Sequence, residues 1–136
     1  MTDEAFRDIF EGTKVIASVG LSSNPLRPAG GVCAYLQAHG YRIIPVNPRE
    51  TEVLGEKAYP DLAAVAAAGI HPDVVQIFRR PDAVPDVTRD AIAIGAKVVW
   101  MQDGAGNTEA ARMAEEAGLT AVVDDCMARV HRRLFA

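Results

Sequence analysis

Serines, an asparagine and arginines gather in the segments that follow apolar runs, and these are side chains that hold anions. The first such segment is KVIASVGLSSNPLRP, residues 14–28. Gly20 lets the chain turn where a Cβ would clash, and Ser22, Ser23 and Asn24 offer hydroxyl, amide and backbone donors. Arg27 adds a forked, permanently charged donor set suited to a phosphate. Arg49 and Lys57 follow a second apolar run, and Arg79 and Arg80 a third. Basic groups on one edge of a chain with a formal net charge of −4 point to a polyanionic ligand.

Known phosphate fingerprints do not account for this pattern. A dinucleotide site needs G-x-G-x-x-G and an acid ending the second strand. Here Leu21 and Ser22 follow Gly20, and the second run ends in Pro-Val-Asn-Pro with no acid before Glu50. No glycine-lysine-serine/threonine follows a strand, so a Walker loop is excluded as well.

Catalytic and metal-binding groups are sparse. His39 ends a helical stretch and His71 precedes a strand, which puts both on the edge away from the ligand loops. Asp124 and Asp125 precede a helix, where capping is their simplest role. Cys33 reads as core, whereas Cys126, ahead of the last helix, reads either as a small packed residue or as a thiol made reactive by the helix start, the packed reading being the simpler. The two cysteines lack metal-ligand spacing and are too few for a disulfide framework.

The elements that must position these loops alternate regularly. The pattern predicts a helix over 3–11, a strand over 14–19, a helix over 29–39 and a strand over 41–48. TEVLGEKAYPDL reads as an irregular connection before a short helix over 61–68. Strands over 72–78, 96–101 and 119–124 are separated by helices over 82–94 and 108–117, and a last helix closes the chain. Alternating strands and helices predict an α/β fold, a single doubly wound domain with a five-stranded, mainly parallel sheet. In such a sheet ligands bind outside the carboxyl ends of the strands.

The bulk properties agree. The 136 residues are about one domain, 49% apolar and 24% charged. The acidic balance argues against nucleic-acid binding, and no apolar run approaches the roughly 20 residues of a membrane span. The acidic, amphipathic start MTDEAFRDIF resembles no targeting peptide, so a cytoplasmic protein with reduced thiols is expected.

Taken in order, VGLSSNPLRP, GYRIIPVNPRE, LGEKAYPDL, VVQIFRRPDAVP, AIAIGAKVVWMQ, AARMAEEAGLTAVVDDCM and HRRL resemble the stand-alone coenzyme A-binding domain proteins. That Rossmann-like family is related to the CoA-binding domain of the succinyl-CoA synthetase alpha subunit. The resemblance covers about residues 13–134. It implies that Gly20, Ser22, Ser23, Arg27 and Pro28 surround the nucleotide phosphates, and that Val46, Asn47, Pro48 and Arg49 line the adjacent loop. It further places Phe78, Arg79 and Arg80 beside the nucleotide, with Gln102, Gly104 and Cys126 approaching the rest of the cleft.

Two segments depart from the family pattern. Ala29-Gly30-Gly31 stand where a serine-tyrosine or serine-histidine pair is common, and Asp103 where an apolar residue is. The implied ligand is CoA or an acyl-CoA, bound without catalysis by the isolated chain and with no metal. The alternatives are a thioester or acyl-transfer component that needs a partner subunit, and a binder of another nucleotide.

Overall fold

Apolar, β-branched runs form the centre of the molecule, and the computed structural model describes all of residues 1–136. The chain runs α1 (Asp3–Glu11), β1 (Val15–Val19), α2 (Pro28–Ala38), β2 (Arg42–Val46), β3 (Glu52–Val53), β4 (Glu56–Lys57) and α3 (Leu62–Ala67). It continues through β5 (Val74–Ile77), a 3₁₀ turn (Pro81–Ala83), α4 (Val84–Ala93), β6 (Val98–Met101), α5 (Thr108–Glu116), β7 (Thr120–Val123) and α6 (Met127–Phe135). The five long strands form one parallel sheet in the order β2-β1-β5-β6-β7. This is the doubly wound, Rossmann-like α/β fold. The order reverses between β1 and β5, which makes their carboxyl ends the switch point of the sheet.

One segment differs from its sequence reading. The connection after β2 contains a small antiparallel hairpin, with Glu52 opposite Lys57 and Val53 opposite Glu56. Its two-residue turn is Leu54-Gly55, both at positive φ (55° and 78°), as a right-twisted hairpin demands. Leucine rarely occupies such a position, so the turn has no sequence signal. The Leu54 carbonyl accepts a hydrogen bond from Gln37 Nε2 at 2.9 Å, which ties the hairpin to α2.

The strands alternate their side chains between two apolar layers. Ala17, Val19, Ile44, Val75, Ile77, Val99 and Met101 pack with α3, α4 and α5. Ile16, Ile43, Val74, Val98, Trp100 and Val122 pack with α1, α2 and α6 on the opposite face. On that second face Ser18, Gln76 and Gln102 are buried polar groups, and they satisfy one another. The Ser18 hydroxyl donates to Gln76 Oε1 at 2.7 Å, and Gln76 Nε2 donates to Gln102 Oε1 at 3.2 Å. The Met127 N–H donates to the same Gln102 oxygen at 2.9 Å, so the sheet is bonded to the start of α6.

Where α1, α2 and α6 meet, His131 is buried with its Nδ1 2.9 Å from the Tyr35 hydroxyl. Phe10, Tyr41, Phe135 and His39 surround its ring, with His39 centred 5.1 Å away and Arg132 over the Tyr35 ring. Burial holds the His131 pKa below its ordinary value, and the neighbouring His39 adds to this. Unfolded His131 therefore takes up a proton at a higher pH than the folded residue. Its stabilising contribution is complete above the ordinary histidine pKa of about 6.5 and declines as pH falls from there through the lower folded value. Urea unfolding at pH 7.5 and 5.5 should show a smaller acid-induced loss of stability in His131→Gln than in the unsubstituted protein. An identical loss in both would place the effect elsewhere.

Candidate functional site

Gly20, directly after β1, sits at φ +92°, and a Cβ there would lie 2.3 Å from the Phe78 carbonyl oxygen. The loops leaving β1 and β5 therefore approach as backbone against backbone, which only glycine permits. The sheet ladders persist to this point, with Gly20 N–H donating to Val46 O at 2.9 Å and Phe78 N–H to Val19 O at 2.8 Å. Beyond it the chain parts toward α2 on one face and α4 on the other. A cleft of about 930 Å³ opens over the switch point, within the size range of small-molecule sites.

Most of the residues singled out from the sequence converge on it. Gly20, Ser22, Arg27, Pro28, Val46, Asn47, Pro48, Arg49, Phe78, Arg79, Arg80 and Gly104 all line the cleft. The serine turn is shaped by its own side chains. The Asn24 N–H donates to Ser22 Oγ and the Leu26 N–H to Asn24 Oδ1, each at 3.0 Å. Asn47 joins the first two loops by donating from Nδ2 to Leu21 O at 3.1 Å and accepting from the Arg49 N–H at 3.0 Å. Ser23 lies beside the cleft, and its N–H and hydroxyl donate to Glu50 at 2.8–3.0 Å.

The first helix after the turn starts one residue earlier than its apolar pattern suggests. Arg27 is the N-cap of α2 and Pro28 its first residue, and no side chain caps the end. Pro28 suits this place because its fixed φ fits and its missing N–H has no partner to lose. The N–H groups of this helix start, together with its dipole, favour an anion at the Ala29 wall of the cleft. Neither glycine that follows is forced by crowding. A Cβ on Gly31 meets nothing within 4 Å, and one on Gly30 only the Ser22 carbonyl at 3.8 Å.

The cleft carries both signs of charge, and most of its arginines are unpaired. Arg27, Arg49 and Arg79 line it and take part in none of the ion pairs of the molecule, whereas Arg80 pairs with Asp82 at 3.6 Å. Four acids line it too, but three are engaged. Glu50 holds the Ser23 donors, Asp61 caps α3 through the Ala64 N–H at 2.8 Å, and Asp103 forms a two-pronged pair with Arg129 at 2.8 and 3.1 Å. Arg129 holds the Asp103 carboxyl below its usual range. Asp90 is the fourth acid, on α4. The arrangement can therefore hold an anion with three arginines, serine and backbone donors. Lys57 is elsewhere, its ammonium 5.3 Å from the centre of the Tyr59 ring.

Besides Ser23, two residues implied by the family resemblance are not in the cleft wall. Gln102 is buried beneath it, bonded to Gln76 and the start of α6, so its contribution is to the floor. Cys126 is the N-cap of α6 and lies outside the lining, with its N–H on Asp125 Oδ1 at 2.9 Å. Asp124 has a different task from helix capping. Its Oδ1 accepts from the Gly104 and Gly106 N–H groups at 3.1 and 2.7 Å and shapes the loop after β6. Cys33 is core, and burial pushes its thiol up to about 12.

Other parts of the wall lay outside the sequence reading. Pro60, Asp61 and Leu62 line it from the start of α3, and Val87 and Asp90 from α4. The available signal was topological. The start of α3 and the first turns of α4 lie at the same sheet edge as the strand ends.

Comparison with known proteins gives a consistent result. A family model described as "CoA binding domain" matches residues 14–132. The chain is 38% identical over 125 residues to the uncharacterized protein YneT of Bacillus subtilis (strain 168), covering 92% of this chain and 90% of that protein. It resembles the solved structure of a hypothetical protein from Pyrococcus horikoshii OT3 at 44% identity and a TM-score of 0.94, covering 100% of this chain and 94% of that one. It also resembles part of a dinucleotide-forming acetyl-coenzyme A synthetase 1 from Ca. Korarchaeum cryptofilum, at 28% identity and a TM-score of 0.67. That match covers 79% of this chain and 25% of the synthetase.

Gly20 and Gly31 should respond in opposite directions to the same change. Gly20→Ala is expected to lower the unfolding free energy by about 2 kcal/mol or more, through the clash with Phe78 and the positive φ. Gly31→Ala, in open helical space, is expected to raise it by about 0.5–1 kcal/mol. Urea denaturation of the two variants measures both.

Proposed function

The chain belongs to the CoA-binding domain family, and from that premise we propose that it binds coenzyme A or an acyl-CoA in the cleft between β1 and β5. The observation that carries this reading is the trio of unpaired arginines, Arg27, Arg49 and Arg79, around the uncapped start of α2. CoA carries a diphosphate and a ribose phosphate, which suit a rim of guanidinium and amide donors. Ser22, Ser23, Arg27 and the helix start would hold phosphates, with Arg49 and Arg79 beside them. The apolar and proline surfaces of Val46, Pro48, Phe78, Pro81 and Val87 offer a path for the pantetheine arm.

Binding without catalysis by this chain alone is the form of the proposal. Within the cleft, Glu50, Asp61 and Asp103 are each engaged in a hydrogen bond or ion pair that organises the structure. His131 is packed among aromatic rings on the α1, α2 and α6 face. No helix is long and apolar enough to cross a membrane. The proposed role is cytoplasmic, in sensing, protecting or delivering CoA. A second reading is favoured by the partial match to an acetyl-CoA synthetase: a thioester or acyl-transfer component completed by a partner subunit.

Calorimetry with CoA, acetyl-CoA, ATP and NAD separates these readings from that of another nucleotide binder. CoA should bind more tightly than ATP or NAD, and equal or absent CoA binding would defeat the proposal. Arg27→Ala should weaken CoA binding by about 1.5–3 kcal/mol, the range for a hydrogen bond to a charged group. Turnover of acetyl-CoA by the purified chain would favour the enzyme reading.

A further inference from the structure

The serine turn already holds an anion, and that anion belongs to the protein. The Ser23 N–H donates to Glu50 Oε2 at 2.8 Å, and the Ser23 hydroxyl reaches the two carboxylate oxygens at 2.9 and 3.0 Å. These donors hold the Glu50 carboxyl below its usual range, the N–H first and the hydroxyl second. Glu50 forms no ion pair, although Arg27 and Arg49 line the same cleft. Its place is set by the turn donors and by the backbone beneath it.

That backbone is fixed. The Glu50 N–H donates to Asn47 O at 3.2 Å, and the Asn47 side chain bonds both its own loop and Leu21 of the first loop. The carboxylate itself stands in solvent-accessible surroundings, so side-chain rotation alone can remove it from the turn. A carboxylate and a phosphate make the same demand on an N–H and an O–H donor, and both cannot occupy them together. Two anions at one turn would also repel each other.

We propose that the Glu50 carboxylate is an internal anion that occupies the Ser23 donors in the free protein, and that a ligand phosphate enters this turn by displacing it. This rests on the reading that the cleft takes CoA, and it adds a residue that sets the affinity and selectivity of that site. Only a ligand with a phosphate that reaches the turn gains from losing the competitor. The neutral pantetheine arm does not.

The test compares the unsubstituted protein with Glu50→Gln and Glu50→Ala by calorimetry, using CoA, pantetheine and inorganic pyrophosphate. Both variants should bind CoA about threefold to tenfold more tightly, the range for one net hydrogen bond exchanged, and pantetheine unchanged. Unchanged CoA affinity in both variants would overturn the proposal. So would weaker affinity, which would make Glu50 a ligand for CoA itself. The Ser23 amide resonance in a ¹⁵N spectrum should move in Glu50→Gln while the rest of the spectrum is retained, and an unmoved resonance counts against the contact. If none of the proteins binds CoA, the CoA reading falls by itself. The Glu50 proposal then stands or falls on whether pyrophosphate binds the variants more tightly than it binds the unsubstituted protein.

Discussion

The close approach of Gly20 to the Phe78 carbonyl governs the rest of the site. The first strand is gripped on both sides to its last residue, by Gly20 N–H on Val46 O and Phe78 N–H on Val19 O. A chain held this way has no lateral freedom, so it must leave the sheet by turning, and at this turn a Cβ would lie inside the neighbouring backbone. Glycine satisfies the clash and the positive φ together. The loops then depart to opposite faces because α2 and α4 cover opposite layers of the core. The crevice is thus a consequence of strand order and one missing side chain.

Polar groups below and beside the crevice make it a firm structure. The buried sequence of hydrogen bonds from Ser18 through Gln76 and Gln102 to the Met127 N–H leaves no buried side-chain polar atom unpaired. Were any member replaced by an apolar residue, its neighbour would carry an uncompensated desolvation cost. Above the floor, Asn47 and Asp124 each tie two chain segments, Asn47 by donating once and accepting once and Asp124 by accepting twice. Asn47 does so for the first and second loops, and Asp124 for the loop after β6. The arginines stand on this frame without ion-pair partners, and their long side chains remain free to meet a ligand.

The sheet is legible because its strands carry short apolar runs and a glycine follows each of α1 to α5, local signals that need no tertiary information. Gly20, Arg27, Arg49 and Arg79 were legible for a related reason: each follows a strand, and strand ends share one edge in a parallel sheet. What could not be read depends on contacts between distant segments. The Leu54-Gly55 turn is stabilised by Gln37 of another element. Asp103 reads as an intrusive negative charge in the fourth loop, yet Arg129, 26 residues later, neutralises it. The family resemblance places Gln102 toward the cleft, and its side chain lies under the cleft floor, bonded to Gln76 and the start of α6.

The same distinction bears on how charge works in this molecule. A net charge of −4 repels anions at long range, and solvent ions screen that field within about 8–10 Å. Recognition must therefore be local, and local pairing decides which charges are available. Arg129 is consumed by Asp103 and Asp125, Arg133 by Asp3 and Arg42 by Glu56. Three of the four arginines that line the switch-point cleft, Arg27, Arg49 and Arg79, stand outside every ion pair. An overall acidic protein can thus offer guanidinium donors to an anion locally, because Arg27, Arg49 and Arg79 stand after β1, β2 and β5 without ion-pair partners.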